Sequence, residues 1–325
     1  MKKFSVAVLG ANGLVGQRLQ QRLSNHPMFE LVAIAGSPSS VGLMHSELDW
    51  KIDGPKPNFD ILICSMSDIP DVDIVFSALP SQVAAIVEPS LVARGIHVFS
   101  NASTFRRVAG IPLVIPEVNP EMLNEYDGHA CATNCTVVPI VTPLKGLSIL
   151  GIKSISIYSR QALSGGGWKL LNNAETMAGN LDPIIVGEEE KVCAEIKHLL
   201  KLEIPITAAC NRVPHKDGHL VSVEVELSKN TTVSEVKKLF DINGVNCPSS
   251  PEKVNIIIEK TPSRDEHLWE GGNGLAAGMA TVVGNIQVSE NIVRYDALSH
   301  NTVRGAAGGV LLLAEFAVRQ YHITK

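Results

Sequence analysis

The run "FSVAVLGANGLVGQR", residues 4 to 18, takes an apolar stretch directly into Gly10, Gly13 and Gly16 and then into residues with helical spacing. Few folds begin with strand, tight turn and helix in so short a span. Glycines at such a turn let the backbone approach a pyrophosphate, and the positive end of the following helix attracts the same group. The spacing is G-x-x-G-x-x-G rather than the commoner G-x-G-x-x-G, but the strand-turn-helix context predicts a dinucleotide site from Gly10, Asn12, Gly13, Leu14, Val15 and Gly16. Apolar strand runs "ELVAIAG", "FDILICS", "DIVFSAL" and "IHVFSN" follow, with helical patterns in "LVGQRLQQRLS" and "SQVAAIVEPSLVARG". That alternation predicts an α/β domain with a Rossmann-type, doubly wound parallel sheet.

After Cys135 the strands lengthen and partly alternate, as in "SISIYSRQALS", "HLVSVEVELS", "KVNIIIEK" and "TVVGNIQVS". A second, α+β domain with a mostly antiparallel sheet, half covered by helices, is expected. The domain boundaries are read as 1–134 and 135–302, and "TVRGAAGGVLLLAEFAVRQY" as a long apolar-faced helix at 303–325 that packs back on the first domain. A chain of 325 residues with 45% hydrophobic content can fill two cores.

A net charge of −5 without any Lys/Arg-dense stretch argues against nucleic acid or an anionic membrane as partner, which leaves small molecules. "MKKFSVAVLGA" superficially imitates a signal peptide, yet its apolar run is short and leads into the glycine motif, so it reads as a first strand. No apolar stretch approaches the ~18 residues of a membrane span, since "GGVLLLAEFAV" is interrupted by Glu315. Six cysteines without a C-x-x-C pair suit reduced thiols in a cytoplasmic enzyme. His129, Cys131 and Cys135 come nearest to a metal cluster, but no further ligands stand at zinc spacing, and no metal is expected.

NAD sites usually carry an acidic residue at the end of the second strand. Here the strand ends in "IAGSPSSVG", and the hydroxyls of Ser37, Ser39 and Ser40 are candidates for a 2′-phosphate, favouring NADP with NAD possible. The other reading of these serines is an ordinary polar loop.

"ATNCTVVPIVTPLKGL" places Cys135 beside Asn134 and ahead of a helical run starting at Thr136, where a helix N-terminus lowers a thiol pKa. Asn134 is then placed to stabilise an oxyanion. Free cysteines are also among the most buried residue types, so Cys135 is either a nucleophile or a packing residue. "NRVPHKDGHLVSVEVEL" reads as a strand, a turn and a new strand, bringing Arg212 and His219 together across a hairpin-like connection. An imidazole suits a proton shuttle and a guanidinium suits a carboxylate, with His215 competing for the base. In "VGEEEKVCAEIKHLL", Glu188 and Lys191 share one helix face, either in a site or on a solvated acidic surface.

Jointly, "GANGLVGQR", "FSALP", "SNASTFRR", "PLVIPEVNP", "TNCT", "RQALSGGGW", "GEEEK" and "CNRVPHKDGH" resemble the aspartate-semialdehyde dehydrogenases over nearly the whole chain, and their archaeal and fungal branch more than the enterobacterial one. The resemblance implies a Rossmann domain followed by a catalytic and dimerisation domain similar to that of glyceraldehyde-3-phosphate dehydrogenase. It further implies Cys135 as nucleophile, His219 as general base, and Gln161 and Asn134 beside the nucleophile. Arg212 would hold the substrate carboxylate and Glu188 its amine, while Lys191 and Arg106 would serve the phosphate and Asn101 would also contact the substrate. Ser164 and Gly165 of "RQALSGGGW" would touch the cofactor.

The implied activity is NADP-dependent reductive dephosphorylation of 4-phospho-L-aspartate to L-aspartate 4-semialdehyde through a cysteine thioester, by a cytoplasmic homodimer or homotetramer. The alternatives are a related reductase of the N-acetylglutamyl-phosphate or malonyl-CoA type, or a non-catalytic NADP-binding relative. Three positions depart from the family pattern: Ser39 where an arginine is usual, Thr133 where proline is common, and Asn285 where arginine is common.

Overall fold

Phe4–Leu9 forms strand β1, and Val6 through Leu9 are sealed from solvent, as expected of a strand covered on both faces. In the computed structural model, which describes residues 2–321 and 323, β1 sits at the middle of a six-stranded sheet. Its other members are β2 (Phe29–Ala35), β3 (Ile63–Cys64), β4 (Ile74–Ser77), β5 (His97–Ser100) and β6 (His129–Cys131). The order is β3-β2-β1-β4-β5-β6 with every pairing parallel, the Rossmann arrangement, whose strand order reverses between β1 and β4. Helix α1 (Leu14–Leu23) follows β1 across the glycine turn, and α2 (Ser81–Ala93) links β4 to β5. Gly10 has φ of +80°, and a Cβ there would stand 2.6 Å from the Ala78 carbonyl oxygen, so the turn excludes other residues.

The second sheet contains β7 (Ile152–Gln161), β8 (Ile206–Arg212), β9 (His219–Leu227), β10 (Asn255–Ile257), β11 (Thr281–Ser289) and β12 (Ile292–Ser299) in the order β10-β11-β12-β9-β7-β8. It is mixed: β11–β12, β12–β9 and β9–β7 are antiparallel, whereas β7–β8 and β10–β11 are parallel. Parallel neighbours need a crossover, and the helix Glu188–Leu200 provides it between β7 and β8. Helix α3 (Val138–Leu147) packs on β9, β11 and β12, covering one face with the helices Glu188–Leu200 and Val233–Phe240. On the other face Tyr158, Thr207 and Arg294 are exposed.

The expected hairpin between Arg212 and His219 is not formed. Strand β7 lies between β8 and β9, so Arg212 pairs with Gln161, while Leu220 pairs with Arg160. The apolar and alternating residues on either side of the turn carry no information about which third strand inserts between them, and the crossover helix decides it.

Contacts divide the chain into one unit of Met1–Val114, Pro120–Thr133 and Ala306–Lys325 and another of Ile115–Asn119 and Asn134–Gly305. The "IPEVN" loop therefore groups with the second sheet, through a buried pair between Glu117 and Arg304, Oε1 to Nη2, at 3.0 Å. The C-terminal helical stretch has two parts, a π-helical turn at Val303–Ala307 and an α-helix at Gly308–Tyr321. The α-helix packs on α1 and β5, with Val310 through Ala314 fully buried.

Within that packing lies an ionisable pair, His26 and Glu315, both without solvent contact, Nε2 to Oε1 at 2.8 Å. The Nδ1 of His26 accepts the backbone N–H groups of Met28 and Phe29, which assigns its proton to Nε2, facing the carboxylate. Glu315→Ala strands that buried donor and should destabilise the protein by about 3 kcal/mol, read as a lowered thermal midpoint. Glu315→Gln, which keeps an acceptor, should recover part of the loss.

Candidate active site

Cys135 lies on the turn between β6 and α3. The helix begins at Val138, later than the sequence pattern indicates, so the helix dipole acts on Cys135 from beyond its first turn and weakly. The turn is shaped by Asn134, whose Oδ1 accepts the Thr136 N–H at 2.7 Å and whose carbonyl accepts the Val137 N–H at 3.0 Å. Its Nδ2 donates to Glu188 Oε1 at 2.9 Å, and its backbone N–H donates to Glu195 Oε2 at 2.7 Å. These bonds shape the nucleophile's turn and preset Glu188, while the second Nδ2 hydrogen of Asn134 is not used by them. Glu195, buried two helical turns beyond Glu188, was not legible as part of the site, because its partner is a backbone N–H with no sequence signal.

Cys135 is half-buried, and its Sγ lies 3.3 Å from Nε2 of His219. The other ring nitrogen, Nδ1, accepts the Ala162 N–H at 3.1 Å, so the proton of the neutral imidazole belongs on Nε2, directed at sulfur. His215 is exposed and does not approach Cys135; its carbonyl accepts the Leu163 N–H. Burial, followed by the positive charges of Arg212 and Arg264, pushes the His219 pKa down to about 3. The ring is therefore neutral at physiological pH.

Arg212 donates from Nη1 to the Ala162 carbonyl at 2.9 Å, and the Cys135 thiolate and Glu188 act back on it electrostatically. Gly165 marks where these groups converge: a Cβ there would lie 3.0 Å from Arg212 Nη1 and 3.0 Å from His219 Nε2. Ser164 is buried, its Oγ accepting from Asn301 Nδ2 at 2.7 Å, while Asn301 Oδ1 accepts the Gly218 N–H at 2.8 Å. Gln161 is buried, with Nε2 3.4 Å from Glu188 Oε1. Lys191 is exposed, one turn after the buried Glu188.

Gly305, in the π-helical turn, backs directly onto the nucleophile, since a Cβ there would fall 2.6 Å from Cys135 Cβ. Short π segments are frequent at functional sites.

In the first unit, Asn101 has its side-chain amide sealed from solvent without a hydrogen-bond partner among the described residues, a group left for a ligand. Its carbonyl accepts from Arg106 Nη2 at 2.7 Å. Helix α1 starts at Gly13 with no side-chain cap, which leaves first-turn N–H groups at Leu14 and Val15 for an anion. A cavity of about 690 Å³ beyond β2 and β3 is lined by Gly36, Pro38, Val41, Met66, Ile86 and Val87 with small serines, and none of its lining residues is acidic. Ser37 and Ser39 are exposed beside it, whereas Ser40 is buried, its Oγ within 3.0 Å of Asn12 Oδ1 and 2.9 Å of the Ser37 carbonyl. Ser40 thus braces the loop while Ser37 and Ser39 present theirs. These features fit a dinucleotide carrying a 2′-phosphate.

His129 engages Glu88 at 3.0 Å, and no group of three metal-ligating side chains occurs among the described residues. Asn285, at φ +52° on a bulge, donates to Asp296 Oδ2 at 2.9 Å.

Residues 5–126 match the semialdehyde dehydrogenase NAD binding domain, and residues 141–304 match the semialdehyde dehydrogenase dimerisation domain. An aspartate-semialdehyde dehydrogenase of Archaeoglobus fulgidus is 40% identical over 98% of this chain and 99% of its own length. The chain belongs to the aspartate-semialdehyde dehydrogenase family. The Candida albicans member of this family, solved with NADP, is 30% identical and superposes with a TM-score of 0.85 over 99% of this chain and 100% of its own. A malonyl CoA reductase (NADP) of Metallosphaera sedula is also similar, 30% identical over 100% of this chain and 99% of its own length.

Two outcomes follow from this geometry. His219, with its pKa depressed when folded, favours folding above about pH 6.5, and that contribution drains away as pH falls toward 3, at about 1.4 kcal/mol per pH unit. Thermal midpoints of wild type and His219→Gln should therefore converge between pH 7 and 4.5. Gly305→Ala should push Cys135 off His219, slowing iodoacetamide labelling of Cys135 and lowering kcat by about tenfold or more, with cofactor binding retained.

Proposed function

We infer that the chain converts 4-phospho-L-aspartate and NADPH to L-aspartate 4-semialdehyde, phosphate and NADP, serving the aspartate pathway to lysine and diaminopimelate, threonine and methionine. The observation that carries this reading is the contact of 3.3 Å between Cys135 Sγ and His219 Nε2, with Arg212 and Glu188 held around it.

The Cys135 thiolate attacks the acyl carbon of the acyl phosphate. The carbon–oxygen bond to phosphate breaks, inorganic phosphate leaves and a thioester remains. The glycine turn and the cavity of the first unit would hold NADPH, which would supply a hydride to reduce the thioester; collapse of the resulting thiohemiacetal breaks the carbon–sulfur bond, releasing the semialdehyde and returning the Cys135 sulfur. His219 donates its Nε2–H to the sulfur as it gains charge, and moves protons at that atom for the substrate oxygen, a role typically worth ~10²–10⁴ in rate. Arg212 offers a planar fork to the substrate α-carboxylate. Glu188, preset by Asn134, receives the substrate ammonium, and Gln161 orients the acyl group. Lys191 and Arg106 take the phosphate, an assignment resting on their motifs. Malonyl-CoA has no ammonium to meet Glu188, and on that ground an amino-acid substrate is favoured.

NADP preference over NAD is supported by the exposed hydroxyls of Ser37 and Ser39 and by the absence of acidic residues in the cavity lining. The reading includes at least a homodimer, supported by the dimerisation-domain match, and a cytoplasmic location, supported by six free cysteines.

Assayed in reverse with aspartate semialdehyde, the enzyme should reduce NADP faster than NAD and only with phosphate present. Cys135→Ser should lose nearly all turnover yet bind NADP, because an alcohol is a poor nucleophile without a stronger base. Phosphate-independent turnover requiring coenzyme A would assign the chain to the malonyl-CoA type instead.

A further inference from the structure

The helical turn Arg264–His267 lies outside both the glycine motif and the residues that face the nucleophile, yet its first side chain reaches the ends of two catalytic strands. Arg264 donates from Nε to the Gly218 carbonyl at 2.9 Å and from Nη2 to the Arg160 carbonyl at 2.9 Å. Those carbonyls belong to the residues immediately before His219 and Gln161. We propose that Arg264 is a positioning residue: its guanidinium, forked across the Gly218 and Arg160 carbonyls, clamps β7 to β9 and so holds the His219 imidazole and Gln161 in register with Cys135. The role assigned to Arg264 rests on Cys135 being the nucleophile.

The clamp closes where the ladder runs out. The β7–β9 pairing ends at Arg160 opposite Leu220, and the next residue of β7, Gln161, pairs with Arg212 on β8 instead. Strands that diverge beyond a last rung are free to splay, and a planar fork with two fixed donors ties both at once. Its seat is built for it. Gly218 has φ of +94°, and a Cβ there would lie 3.1 Å from Arg264 Cγ, so the approach of the arginine stem depends on this glycine. Asn301 holds the N–H of the same residue, leaving Gly218 fixed from both sides. The helical turn is itself pinned, since Ser263 Oγ accepts the Asp265 N–H at 3.3 Å and His267 Nδ1 accepts the Ser263 N–H at 3.0 Å.

What the clamp preserves is the orientation of the ring. The Ala162 N–H that binds His219 Nδ1 comes two residues after Arg160, so displacement of β7 loosens the bond that keeps Nε2–H aimed at sulfur. The charged groups facing His219 are Arg212 from β8, Arg264 from its helical turn and the Cys135 thiolate, with Glu188 facing Arg212. Removing Arg264 takes away one positive charge and the fork that ties the Gly218 and Arg160 carbonyls together.

The test compares Arg264→Met and Arg264→Lys in the full chain with wild type. Four quantities are measured: kcat and KM with aspartate semialdehyde, NADP affinity, and the pH midpoint of Cys135 alkylation by iodoacetamide. In R264M, kcat should fall about 10–100-fold with KM and NADP affinity nearly unchanged, and the alkylation midpoint should rise. R264K, which keeps the charge but has a single donor nitrogen in place of the two-nitrogen fork, should show an intermediate kcat and a midpoint nearer to wild type. Wild-type kcat and midpoint in R264M overturn the proposal. Should R264M fail to bind NADP, R264K decides: reduced kcat at unchanged NADP affinity supports the clamp, and wild-type kcat overturns it. Failure of the wild-type protein to turn over aspartate semialdehyde would instead count against the proposed function, while the alkylation profiles still judge the clamp.

Discussion

The insertion of β7 between β8 and β9 is the constraint on which the site depends. Because β7 pairs in parallel with β8 and antiparallel with β9, its last residue stands between Arg212 and the start of β9. The parallel pairing in turn demands a crossover, and the helix that makes it delivers Glu188 and Glu195 to the turn carrying Cys135. Strand order, carboxylate supply and nucleophile support are thus consequences of one connection. A β8–β9 hairpin would have kept Arg212 and His219 close but left no place for Gln161 between them.

Around this frame the polar groups of the second unit form small hydrogen-bonded clusters joined through the backbone. Asn134 binds both Glu188 and Glu195, Asn301 bridges Ser164 and Gly218, and Ala162 uses its N–H for His219 and its carbonyl for Arg212. Buried polar groups are costly unless paired, so each bond restricts its partners to few arrangements. Two glycines sharpen the restriction by omission: side chains at Gly165 or Gly305 would displace His219 or Cys135. The neutral imidazole that results is a donor at Nε2, and this shifts the source of thiolate stabilisation from the helix end toward His219 and Arg212.

In the first unit the glycine turn was legible because its chemistry is local. Positive φ at Gly10, an apolar β1 and an uncapped α1 are all properties of one short segment. The serines after β2 were legible only as a set. Ser37 and Ser40 look alike in sequence, and burial separates them, turning Ser40 inward to Asn12 while Ser37 stays exposed. The same limit applies to Asn134, whose neighbour in the chain is the nucleophile but whose side chain turns to the crossover helix.

The sequence by itself determined the parallel sheet, the glycine turn, the family and the residue types able to carry acyl transfer, because strand periodicity, turn glycines and motif order are encoded over a few residues at a time. Only the tertiary structure decided that β7 inserts between β8 and β9, that the Nε2 of His219 comes within hydrogen-bond reach of Cys135, and that Glu195, Arg264, Asn301 and Gly305 belong to the surroundings of the nucleophile. These last four act through backbone carbonyls, backbone N–H groups or the absence of a side chain. Every residue offers such partners, so no residue pattern announces which of them a fold will bring together.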